Sequence, residues 1–160
     1  MKKVCKRSDG FNEEDLLHFG YGRIEAAYAL FNNDPKYLDS AGYLAHLGTE
    51  LVLKACHLYH FDQFEESHNL INLFDKLKSH DNSYDIEQKS IDFLNELCKF
   101  YLLRYPRRGE GPIEVGSDMV DQLTDLLESL WQVFPDKIVE EYNQIDTTKK
   151  AGRILMEKKV

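Results

Sequence analysis

The chain has no apolar run approaching the ~18 residues that a bilayer-spanning helix requires, and its charged opening, Met1-Lys2-Lys3-Val4-Cys5-Lys6-Arg7, has no apolar stretch behind it. Neither a membrane association nor a secretory leader is expected. Cysteine is scarce: Cys5, Cys56 and Cys98 include no Cys-x-x-Cys pair and leave an odd thiol. That usage points to reduced thiols in a cytoplasmic protein, not to a disulfide framework. There are only four prolines, and alternating β-branched runs are missing, so no strands are expected. Also absent are the G-x-S-x-G elbow, the P-loop Gly-Lys-Ser/Thr and the H-E-x-x-H zinc motif, which removes the signatures of three large enzyme classes.

What is present is a chain of 160 residues with 42% hydrophobic and 12% aromatic content, enough for one ordinary core. It reads as a single domain over 1–160 with its core at about 13–142 and basic N- and C-terminal tails. The net charge is −8, and residues 1–7 and 149–160 each contribute +4, so residues 8–148 carry −16. A body that acidic repels bulk phosphate, and any nucleic acid or nucleotide has to be met at a local basic patch. One patch stands out: of six arginines, three fall at Arg104, Arg107 and Arg108.

Apolar spacing of three and four predicts helices throughout. Leu17, Gly20, Ile24, Ala27, Tyr28 and Phe31 mark a first helix over roughly 13–32. Asp34-Pro35 supplies a start for the second, which follows Leu38, Ala41, Leu44, Leu47, Leu51, Ala55 and Leu58 to an end near His60. Its small residues Ala41, Ala45, Gly48 and Ala55 offer a close approach to a neighbouring helix. Ser67 is expected to cap a short third helix carrying Leu70, Ile71, Phe74 and Leu77. The fourth carries Ile86, Phe93, Leu94, Leu97, Phe100 and Tyr101 and stops before Tyr105-Pro106. Ser117 opens the fifth, with Val120, Leu123, Leu127, Leu130 and Phe134, and a short amphipathic piece runs from Ile138 to Tyr142. Short connections make the second to fifth helices antiparallel neighbours. The expected fold is all-α, an antiparallel up-and-down bundle of four to five main helices.

Six histidines raise the question of metal. Cys56-His57-x-x-His60 lacks a second cysteine at ligand spacing, and its imidazoles fall at a helix end, where they are read as partners of terminal carbonyls. No metal and no cofactor are expected. Ser67-His68-Asn69-Leu70 opens a helix and places His68 in its first turn, where free N–H groups meet anions and the dipole disfavours the imidazolium. Arg104, Arg107 and Arg108 close the fourth helix and begin a glycine-rich loop, where guanidinium groups can clamp phosphate.

Three segments in order resemble one family. Residues Ala41 to Ala55 resemble a second helix with a Glu-x-x-x-Lys-Ala core, here Glu50, Lys54 and Ala55. Ser67-His68-Asn69-Leu70 resembles a Thr-His-Asp-Leu approach to a third helix, and Leu103-Arg104-Tyr105-Pro106 resembles an Arg-Tyr-Pro that closes a fourth. The family is the HEPN domain, an all-α group found in higher eukaryotes and prokaryotes and associated with nucleotide binding; the resemblance covers about residues 15–134.

The resemblance implies a helical bundle that pairs into a homodimer, with a cleft at the dimer seam to which the small-residue face of the second helix and the 104–116 loop would lie near. It implies a nucleotide or RNA ligand, and a nucleotidyltransferase or antitoxin as a possible protein partner. Many members resemble metal-independent ribonucleases built on Arg-x(4–6)-His. Here the residues four to seven before His68 are Phe64, Gln63, Asp62 and Phe61, with no arginine, and Asn69 stands where the family has Asp. The expectation is therefore a nucleotide- or RNA-binding module, non-catalytic or weakly active. The alternatives are a toxin-like ribonuclease using His68 and a protein-interaction module without ligand chemistry. His68 is the candidate for proton transfer, and Arg104, Tyr105, Arg108 and Asn69 are the candidate ligand contacts.

Overall fold

The computed structural model describes residues 3–32, 37–101 and 118–145. Six α-helices lie among the described residues: α1 (Glu13–Phe31), α2 (Leu38–Phe61), α3 (Leu70–His80), α4 (Gln88–Tyr101), α5 (Met119–Val133) and α6 (Asp136–Asn143). The fold is an all-α bundle, as the periodicity predicts.

Asn12 starts α1: its side chain accepts from the Asp15 N–H at 2.8 Å, and Glu13, Glu14 and Asp15 place negative charge on the positive helix end. Leu17, Gly20, Tyr21, Ile24 and Ala27 then form the buried stripe that packs on α2. Two glycines allow the close approach. A Cβ at Gly20 would lie 3.2 Å from the Gly48 carbonyl oxygen, and one at Gly48 would lie 2.6 Å from Ile24 Cγ1 and 3.0 Å from the Gly20 carbonyl oxygen. Rising positions in α1 meet falling positions in α2, so the two helices run antiparallel.

Helix α2 is the axis of the bundle. Residues Val52 to Leu58 are all buried, because α1, α3 and α4 cover it from different sides. It ends where Asp62 turns left-handed (φ 56°) and returns its N–H to the Leu58 carbonyl. Helix α4 closes on α2 through Phe100, whose ring fills the space beside Gly42. Tyr28 of α1 reaches Thr124 of α5, hydroxyl to hydroxyl, at 2.7 Å. Trp131 of α5, Tyr142 of α6 and Tyr21 of α1 pack ring against ring and close the other side of the core.

Several expectations change on the structure. Strands exist: β1 (Val4–Lys6) pairs antiparallel with β2 (Gln63–Glu65), with Cys5 opposite Phe64. Three-residue strands are too short to display an alternation. The charged segment read as a basic tail thus supplies one edge of this ribbon, and Arg7 behind it pairs with Glu13 and with Asp62 while donating to the Leu58 carbonyl at 3.1 Å. The cap of α3 is Asn69, not Ser67: the Asn69 side chain accepts from Asn72 N–H at 3.1 Å, while Ser67 Oγ accepts from the Asn69 N–H at 3.3 Å. Helix α4 begins at Gln88, two residues after Ile86. The expected starts at Asp34-Pro35 and Ser117 lie outside the described residues. Finally, Ala41, Ala45, Gly48 and Ala55 are buried within the chain. Their small size serves contacts inside this bundle.

Candidate functional site

Helix α2 presents His46, Glu50 and Lys54 at steps of four, which stacks them on one face. All three are buried, His46 at 0%, Glu50 at 4% and Lys54 at 5% exposure. Buried polar groups have to satisfy one another, and these do apart from His46 Nδ1. Lys54 Nζ donates to Glu50 Oε1 at 2.5 Å and lies 5.6 Å from the centre of the Phe64 ring. His68, in the extended segment before α3, brings Nδ1 to 3.1 and 3.2 Å from the two Glu50 oxygens. A carboxylate only accepts, so Nδ1 is a protonated nitrogen, and in the neutral ring Nε2 carries the lone pair. His46 Nε2 donates to the His68 carbonyl oxygen at 2.9 Å and stands 4.0 Å from Glu50 Oε2. Burial above all lowers the pKa of His46 and keeps its ring neutral. Tyr101, the last residue of α4, stacks on His68 with centroids 4.3 Å apart and planes at 16°.

His68 is partly open, with 40% of its side chain exposed. It lies before the Asn69 cap and not in the first turn of α3, so its nearest electrostatic partner is the Glu50 carboxylate instead of the helix start. The arrangement is an imidazole held by a buried acid, with a basic nitrogen directed away from that acid. Such a nitrogen accepts a hydrogen bond or a proton from a hydroxyl or amine.

Of the other sequence candidates, Asn69 is engaged through its side-chain oxygen as the α3 cap. Arg104, Tyr105 and Arg108 lie outside the described residues, although Tyr101, three positions before Arg104, is the residue that stacks on His68. The reading of His57 and His60 as partners of their own helix's terminal carbonyls is corrected. His57 Nε2 donates to the Leu73 carbonyl of α3 at 2.7 Å, and His60 Nε2 pairs with the Tyr84 hydroxyl at 2.7 Å. Both tie α2 to the elements that follow it. Among the described residues no group of three or more His, Cys, Asp or Glu is placed to hold a metal ion, and no helix is long and apolar enough to cross a membrane.

Sequence reasoning reached His68 but left Glu50 and Lys54 as a helix motif and did not bring His46 or Tyr101 to the site. The available signal was His46-x-x-x-Glu50-x-x-x-Lys54 inside a helix that is otherwise apolar nearly all round.

Fold and site together define an all-helical bundle that offers one acid-held histidine beside the end of its fourth helix. The family model described as the HEPN domain matches residues 14–147, most of the chain, and this chain belongs to the HEPN family. No curated protein and no solved structure matches it.

Proposed function

We propose that this HEPN-family chain is a cytoplasmic nucleotide- or RNA-binding module that works as a homodimer and contacts the ribose of its ligand through His68. The observation that carries the reading is the Glu50–His68 contact. In the neutral ring it leaves Nε2 as an acceptor on a half-open side chain, suited to a ribose 2′-hydroxyl, the group that separates RNA from DNA. Tyr101 backs the ring and keeps it from turning away.

A metal-independent ribonuclease is the second reading, and the same tautomer favours it, because an outward Nε2 can take the 2′-hydroxyl proton. Catalysis also needs a cation on the developing phosphate charge. Lys54 is bound to Glu50, and the family arginine position before His68 is filled by Phe61, Asp62, Gln63 and Phe64, of which Asp62 pairs with Arg7. Binding therefore ranks above cleavage.

Titrating matched ribo- and deoxyribonucleotides separates these readings. Wild type should prefer the ribo form by about two- to tenfold, the worth of one hydrogen bond, and His68→Ala should abolish the preference. Equal affinity of wild type for both forms removes the ribose contact. Robust cleavage of single-stranded RNA, lost in His68→Ala, promotes the enzyme. Light scattering should show a dimer, the commonest closed assembly, and a monomer at every working concentration removes that part of the proposal.

A further inference from the structure

Glu50 holds the side chain of His68, but a side chain is directed only as well as the main chain that carries it. The residues before α3 are extended, and among the described residues the His68 carbonyl accepts from one group, His46 Nε2, at 2.9 Å. We infer that His46 is a positioning residue: from one turn before Glu50 on α2, it fixes the His68 main chain so that the ring meets Glu50 with Nε2 outward. This rests on the reading of His68 as the ligand contact.

Three observations support the role. His46 and Glu50 grip the same residue at two points, carbonyl and ring, from positions four apart on one helix. Tyr101 touches both imidazoles, with centroids 5.5 Å from His46 and 4.3 Å from His68, so the three rings form one packed unit. And His46 is kept at an unfavourable site. Its Nδ1 is buried with no partner among the described residues, an arrangement that an aliphatic side chain of similar size would avoid. What an aliphatic residue cannot supply is the Nε2–H. The charged and titratable groups around that donor are Glu50 and Lys54 on its own helix, His68 opposite and Tyr101 of α4. Because burial keeps the His46 ring neutral, it offers one donor in one direction.

The test uses the full chain and two variants, His46→Leu, which removes the donor, and His46→Gln, which retains one. Nitrogen-15 NMR of the ring of His68 reads its tautomer without any ligand, and AMP against its 2′-deoxy analogue reads the ribose preference. Wild type and His46→Gln should show a single His68 tautomer protonated at Nδ1. In His46→Leu that single signature should be lost, and the ribose preference should fall by the same two- to tenfold as in His68→Ala, roughly one hydrogen bond. A folded His46→Leu that retains both overturns the inference. If His46→Leu fails to fold, wild type still decides. The His46 Nε2–H should resist exchange with solvent and couple across the hydrogen bond to the His68 carbonyl carbon, and a freely exchanging proton there refutes the role. If wild type binds neither nucleotide, the ligand reading fails, while the tautomer comparison still judges His46.

Discussion

Lys54→Met is expected to lower the free energy of unfolding by about 3–5 kcal/mol, the usual result of leaving one charge of a buried pair uncompensated. The Lys54 and Glu50 side chains are each only 6% exposed, and their contact is 2.5 Å. Without the ammonium, the Glu50 carboxylate would retain the Nδ1–H of His68 as its nearest donor. The double variant Glu50→Leu/Lys54→Met should recover most of the loss, because an apolar pair of similar volume needs no desolvated charge. Stability and function then part company. The double variant should be folded but should lack the ribose preference, since nothing holds the His68 ring. Urea unfolding with a constant m-value gives the first quantity. A loss under about 1 kcal/mol for Lys54→Met would show the pair behaving like a solvated surface contact, and the buried anchor for His68 would go with it.

Gly48→Val should cost about 3 kcal/mol or more, at the upper end of what overpacking costs. A Cβ alone would lie 2.6 Å from Ile24 Cγ1, 3.0 Å from the Gly20 carbonyl oxygen and 3.1 Å from the Ile24 backbone nitrogen. Two of those three atoms are backbone, so a rotamer change in Ile24 does not relieve the clash and α1 has to move off α2. The intrinsic preference of helices for other residues over glycine, up to about 1 kcal/mol, works the other way and is too small to compensate. Gly22→Ala in the same helix pair is the control: a Cβ there meets nothing within 4 Å. Thermal or urea midpoints decide, and a Gly48→Val protein as stable as wild type would mean the two helices are not in contact at these glycines.

Most of the helices were legible because they pack one face and leave another wet. Helices α1, α3 and α5 keep apolar residues at steps of three and four over at least three turns, and the break at Pro135 separates α5 from α6. The strands were not, for a reason of length: their pairing is a relation between residues about sixty positions apart, and neither triplet carries a pattern of its own. The misplaced cap has a local cause. Ser67 and Asn69 are both good cap residues, and the one that counts is the one whose oxygen reaches the N–H three positions on. At the site, His68 was visible as an imidazole beside a helix start. Glu50 and Lys54 were harder, because an i, i+4 acid–base pair is ordinarily a solvated surface feature. Only the burial of α2 on several sides turns that pair into an anchor. His46 was hidden among apolar neighbours until the fold put a carbonyl opposite its ring.

The β1–β2 ribbon also sets an order of events. Residues 4–6 leave the ribosome about sixty residues before the partners they pair with, roughly 3–12 s earlier at ordinary synthesis rates. During that interval α1 and most of α2 emerge and can form their local contacts, while strand β1 waits without a mate. Its closure is a non-local contact, and such contacts form slowly. The ribbon ends at Glu65, and Glu66 donates its N–H to the Lys3 carbonyl at 2.9 Å, two residues before His68. The strap that steadies the approach to His68 is thus completed only after the helical hairpin exists. A nascent chain should acquire its first helical hairpin before it acquires a rigid site.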